Sequence, residues 1–217
     1  MGFLKRLKDV ASGRIARSNR IIGNHGVRIC EKLETHANPL LEALVRGTAV
    51  CTIQFLEAVL FDVKDFKYND GTGEPNPFKE NLDRLDEKSS YEMFKLVAGN
   101  FLIVLLAEGL LRDDETGINI PELRDQFFNI YEYNDEDREI FYELLKLAQN
   151  DLLGEGREQG LPRQGFRLYE YIFKRAYNIN PPEYTSQILN FILLFKKTGN
   201  EIFIPELIEV MKTVNIT

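Results

Sequence analysis

Four side chains in this sequence are soft metal ligands by type: His25, Cys30, His36 and Cys51. Four such ligands are what a structural zinc site requires. Their spacing argues against one. Cys30 and His36 are six residues apart, about 240° around a helix, so they face different ways. The expectation is surface histidines and two buried, unpaired thiols, as in a reducing compartment. Glu-x-x-His pairs of the di-iron kind do not occur. Nor does a Gly-x-Ser-x-Gly elbow, and both histidines fall early in the chain. Nothing in the spacing therefore assembles a nucleophile with an oriented base. The Gly-rich stretch GEGREQG (154–160) follows a helix pattern, not a strand, and carries two glutamates. It reads as a linker, not a phosphate cradle.

One chemical pattern occurs twice. INIPEL at 118–123 returns as IFIPEL at 202–207, each preceded by a Thr-Gly pair. Ile followed by Glu and Leu at this spacing resembles the exit half of an EF-hand calcium loop. That resemblance implies Glu122 and Glu206 as last ligands, with Asp113 and Glu115 at the third and fifth positions of the first copy. The first ligand position, however, holds Leu111 or Phe195, and the central glycine position holds Thr116 or Asn200. A hard cation needs six or more oxygens, which these loops do not supply. Both copies read instead as helix starts, with Pro where its missing N–H costs nothing and Glu at the positive end of the dipole. No metal or cofactor is expected.

Charge gives the sequence its most specific feature. The chain of 217 residues is acidic, at net −7. Residues 1–28 oppose this with seven bases against one acid, net +6, which leaves −13 on residues 29–217. The acidic pole is 112–143, with eleven acids against Arg112, Arg124 and Arg138. Acidity over most of the surface would repel phosphates, so nucleic acid is not the expected partner.

The basic segment is also amphipathic. Placed on a helix over residues 3–22, Phe3, Leu4, Leu7, Val10, Ala11, Ile15, Ile21 and Ile22 share one arc. Lys5, Arg6, Lys8, Arg17 and Arg20 take the other side, while Arg14 and Ser18 intrude on the apolar arc. Gly13 weakens the centre by about 1 kcal/mol, so the stronger half is 3–12. Such a helix suits a membrane interface, with its apolar face in the acyl boundary and its bases at anionic headgroups. Arg6 stands where N-myristoylation needs Ser or Thr. The opening MGFLKRLKDVAS resembles the N-terminal amphipathic helix of the phage-shock protein A family, which senses bacterial membranes. The resemblance spans residues 1–12, and the long charged coiled-coil arms of that family have no counterpart in the rest.

The functional expectation follows from this segment. The chain reads as an interaction or scaffold protein, leaning away from catalysis. It would dock through Phe3, Leu4, Lys5, Arg6, Leu7, Lys8, Val10, Arg14, Arg17 and Arg20 on an anionic membrane leaflet, an acidic protein patch or a second copy of itself. That places it in the cytoplasm, peripheral to a membrane where the surface is a leaflet. The same residues admit three other readings. The helix packs on its own body near the 112–143 acids, it is an organelle-targeting presequence, or GRIARSNR and Arg28 form a nucleic-acid arm. The alternative for the whole chain is a helical enzyme or ligand-binding protein with a site between helices.

The elements that must carry these residues are helical. Asn38-Pro39 opens a helix over 38–66. Ser89 with Glu92 suggests a capping box for a helix over 90–112, whose apolar run reads as a buried central helix and not a membrane span. Asn134 caps a helix to about 153; further helices follow from Phe166, from Asn180 to about Lys197, and from Pro205. Tyr131, Tyr133, Tyr169, Tyr171 and Tyr177 fall at helical spacing and read as core or core rim; Tyr68 belongs to the same set. The fold class is all-α: a single multi-helix domain of about nine helices with mostly antiparallel packing. The segment 1–28 precedes an acidic domain, 29–217, with sub-boundaries at 67–78 and 154–165.

Overall fold

A computed structural model describes residues 20–33, 38–61, 74–111, 119–154, 157–158, 161–183, 185–205 and 207–208. It is all-α. Eight α-helices occur among the described residues: α1 (Arg20–Lys32), α2 (Pro39–Phe61), α3 (Pro77–Glu80), α4 (Glu87–Ala107), α5 (Ile120–Ile130), α6 (Asp135–Leu152), α7 (Arg163–Ala176) and α8 (Thr185–Thr198). The stretch read as a linker also holds a minimal antiparallel pair, β1 (Arg157–Glu158) and β2 (Leu161–Pro162), in the register Arg157 to Pro162.

The helices start where polar caps meet apolar runs. Asn38 Oδ1 accepts from the backbone N–H of Leu40 at 3.0 Å and Leu41 at 3.3 Å, with Pro39 first in α2. Asn134 and Asp137 form a reciprocal capping box at the head of α6, at 2.8 and 2.9 Å. At α4 the cap differs from expectation. Asp86 accepts from Ser89 N–H at 2.6 Å, so the helix begins at Glu87, and Ser89 is a donor inside its first turn. A carboxylate accepts an N–H more strongly than a hydroxyl does. Glu92 is drawn elsewhere, into a buried charge cluster described below.

α4 is the hub. It packs on α1 and α2 on one side and on α6 and α7 on the other, while α8 closes over α2 and α7. α2 and α4 are each long and apolar enough to cross a membrane by length and composition, yet 78% and 72% of those stretches are buried inside the fold. A helix apolar all round is a core helix when other helices cover it. Between them lies one contiguous core that runs from Ile22 to Leu207. Its centre is aromatic: Phe78 stacks on Phe191 at 5.5 Å and meets Phe173 at 4.8 Å, and Phe101 stacks on Phe195 at 4.4 Å. Tyr131, Tyr169 and Tyr177 are buried, and Tyr133 and Tyr171 pack on the core rim. Tyr68 lies outside the described residues.

The expected helix break at Thr198-Gly199 is absent. Thr198 Oγ1 donates to Leu194 O at 3.0 Å, and the chain continues through a π-turn, Gly199–Phe203, closed by Ile204 N–H to Gly199 O. Helical backbone resumes at Ile204-Pro205. Pro205 has no N–H to give to the preceding turn, and a widened turn just before it absorbs that loss. The IFIPEL copy therefore continues a helix, whereas INIPEL starts one, with Asn119 capping Glu122 N–H at 3.1 Å. Among the described residues, two of the expected helices are thus one continuous run.

Candidate functional site

Of the predicted docking residues, Phe3, Leu4, Lys5, Arg6, Leu7, Lys8, Val10, Arg14 and Arg17 lie outside the described residues. Arg20 opens α1, and its side chain lies outside them too. What is described is α1, which carries the end of the basic segment onto the body. Ile22, Ile29, Cys30 and Leu33 are buried. Gly26 sits so close to α2 that a Cβ there would lie 2.5 Å from Ile53 Cδ1. Lys32 Nζ donates to Ile130 O at 3.2 Å and to Glu132 Oε1 at 2.5 Å. The Lys32 hydrogen bond holds the Glu132 carboxyl below its usual range. Arg28 reaches Glu87 at 3.5 Å, an exposed pair worth little by itself.

His25 overturns one expectation. It is not a surface residue: 1% of it is exposed. Its Nε2 lies 2.7 Å from Ser90 Oγ, and Ser90 Oγ donates to Glu87 O at 2.8 Å. The serine hydrogen is thus committed to the carbonyl. His25 Nε2 must be the donor, which leaves Nδ1 as a bare acceptor, and Nδ1 is buried without a hydrogen-bond partner. The rings of Tyr91 and Phe94 lie 5.0 and 5.9 Å away. Burial, reinforced by the Arg28 charge, lowers the His25 pKa to about 4. The sequence does carry a sign of this, because Ile22, His25 and Ile29 fall on one helical face. His36 lies outside the described residues.

A second polar cluster joins α4, α6 and α7. Lys95 Nζ lies 2.7 Å from Asp137 Oδ2 and 3.1 Å from Glu92 Oε1. Arg175 pairs with the other Asp137 oxygen and meets Glu92 Oε2 at 2.7 Å. Two cations face two carboxylates, with Glu136 at the rim, 3.9 Å from Arg175. Burial pushes the Asp137 carboxyl up, but hydrogen bonds from Lys95, the Asn134 N–H and Arg175 outweigh it and hold the pKa below its usual value. The cluster is charge-balanced and clamps three helices.

The third feature is a cleft between the C-terminal half of α4, the start of α7 and the end of α8. Two adjoining cavities of about 150 and 170 Å³ share Val104, Glu108, Pro162, Gln164 and Lys196. Leu168, Phe191, Ile192 and Phe195 make apolar walls, and the π-turn supplies Gly199 and Asn200. Inside, Gln164 Nε2 donates to the buried Asn100 Oδ1. Pro162 leaves α7 without a side-chain cap of its own. Asp151 of α6 caps it instead, accepting from Arg163 N–H at 3.1 Å and Gln164 N–H at 3.0 Å.

No three His, Cys, Asp or Glu side chains gather to hold a metal among the described residues. Glu122 accepts from Gln126 at 3.2 Å, as an ordinary first-turn glutamate. Cys30 and Cys51 are buried and not joined in a disulfide, and burial raises the Cys30 thiol to about 11. No family model, curated protein or solved structure matches the chain.

Proposed function

We propose that the chain is a non-enzymatic interaction protein, whose basic amphipathic N-terminal segment docks the helical body on an anionic membrane leaflet. The seam between α1 and α4 supports this reading most directly. There the end of the basic segment, residues 20–28, belongs to a helix held on the body by Ile22, His25, Ile29 and Lys32. Residues 1–19 carry five bases and one acid. Near an anionic leaflet each base adds about 1 kcal/mol, and the apolar stripe adds burial in the interface. An acidic protein patch or a second copy of the chain offers the same complementarity. Co-sedimentation with anionic and neutral vesicles, for the full chain and a variant lacking residues 1–19, separates these partners.

A second reading rests on the cleft. An amide pair, buried Asn100 with half-buried Gln164, within largely apolar walls and beside Lys196 and Glu108, suits a small amphipathic ligand. Ligand-observed NMR against a small-molecule library tests it. Saturable binding weakened by Gln164→Ala, which removes the amide that lines both cavities, supports this reading.

A further inference from the structure

We propose that α1 is a proton-released strap: protonation of His25 in the α1–α4 seam frees α1 from the helical body. The proposal rests on the docking reading above for its purpose, but not for its chemistry.

The seam has room for a neutral imidazole only. His25 Nε2–H is matched by Ser90 Oγ. Nδ1 faces no hydrogen-bond partner, so a proton placed there would be a buried donor without an acceptor. The new charge would also lie among cations. On α1 itself, Arg28 stands one turn away, its guanidinium 5.9 Å from the Tyr91 ring centroid. From α4, Lys95 approaches the same ring at 5.6 Å. The carboxylates of this region are engaged: Glu87 with Arg28, Glu132 with Lys32, and Glu92 and Asp137 with Lys95 and Arg175. From α2, the wall is Ile53 against Gly26. Among the described residues, no acceptor meets a proton on Nδ1 and the nearby carboxylates are already paired with other cations. Released into water, the imidazole gains its proton freely near its ordinary value of 6.5.

The sign follows from linkage. The open form binds a proton more readily than the closed form between pH 6.5 and about 4. Opening is therefore promoted as pH falls through that window. A one-proton strap with these two limits opens about 20-fold more at pH 5 than at pH 7.

Hydrogen exchange read by mass spectrometry on the full chain, without vesicles and corrected for intrinsic pH effects, tests this. Protection of peptides within 20–33 should fall about 20-fold from pH 7 to pH 5 and lie well below that of α2 and α4 peptides, which open only with the whole fold. In His25→Gln, which keeps a neutral donor toward Ser90, protection should not depend on pH over that range. Should that variant fail to fold, the wild-type imidazole itself is read by NMR: the chain has two histidines, and His36→Gln identifies the resonance of His25. Equal protection at pH 7 and pH 5, or a His25 resonance titrating near 6.5, overturns the strap. Because no membrane is present, either result leaves the docking reading to its own test.

Discussion

Lys95 Nζ and Asp137 Oδ2 sit 2.7 Å apart at the meeting of α4, α6 and α7, with 3% and 2% of the two residues exposed. Neither charge has water to fall back on. Removing one partner leaves the other buried with a single counter-ion in place of two, Arg175 for Asp137 or Glu92 for Lys95. Lys95→Met and Asp137→Asn should each lower stability by about 3–5 kcal/mol, read as a shift in urea midpoint with unchanged slope. Glu136→Gln, at the exposed rim, should cost under about 1 kcal/mol.

Acid should unfold the protein in two stages. His25 has a folded pKa lowered to about 4 from 6.5, so its contribution is complete above pH 6.5 and is lost as pH falls toward 4. Stability declines there by about 1.4 kcal/mol per pH unit. Asp137 and Glu132 are held below their ordinary values of 3.8 and 4.5, so their contributions begin to fall only below those values. His25→Gln should flatten the upper stage and leave the lower one, in urea melts collected from pH 7 to pH 3.

Asp151 supplies the cap that Pro162 cannot. Asp151→Ala should cost about 1 kcal/mol by loosening the first turn of α7. Faster hydrogen exchange at Arg163 and Gln164, with α6 unchanged, would locate the effect.

Gly99 marks where α4 meets the Tyr133 side chain. A Cβ at this position would collide with the Tyr133 hydroxyl, which donates to Lys95 O at 2.7 Å. Gly99→Ala should therefore destabilise by about 1–3 kcal/mol despite alanine's better helix propensity. The near-ultraviolet circular dichroism of the tyrosines should change with it.

Local rules made much of this fold legible. Asn38-Pro39 and Asn134 through Asp137 carry their own caps within four residues, and α4 shows its burial in its composition. Where two local rules competed, sequence chose poorly. Ser89 and Glu92 look like a box, but Asp86 is the stronger acceptor and Glu92 answers to Arg175, 83 residues away in sequence. Thr198-Gly199 looks like a turn, yet Phe203 packed on Phe101 keeps the chain helical through a π-turn. The Lys95–Asp137 pair and the His25–Ser90 contact join residues 42 and 65 positions apart, a separation that no periodicity encodes.

The most direct test of the central claim is vesicle co-sedimentation at low ionic strength, with the full chain and a variant lacking residues 1–19. That boundary spares Ile22 and the rest of the buried face of α1. The full chain should pellet with anionic vesicles and lose that pelleting at high salt or with neutral vesicles, and the shortened chain should not pellet. Equal, negligible pelleting in every arm would contradict that claim.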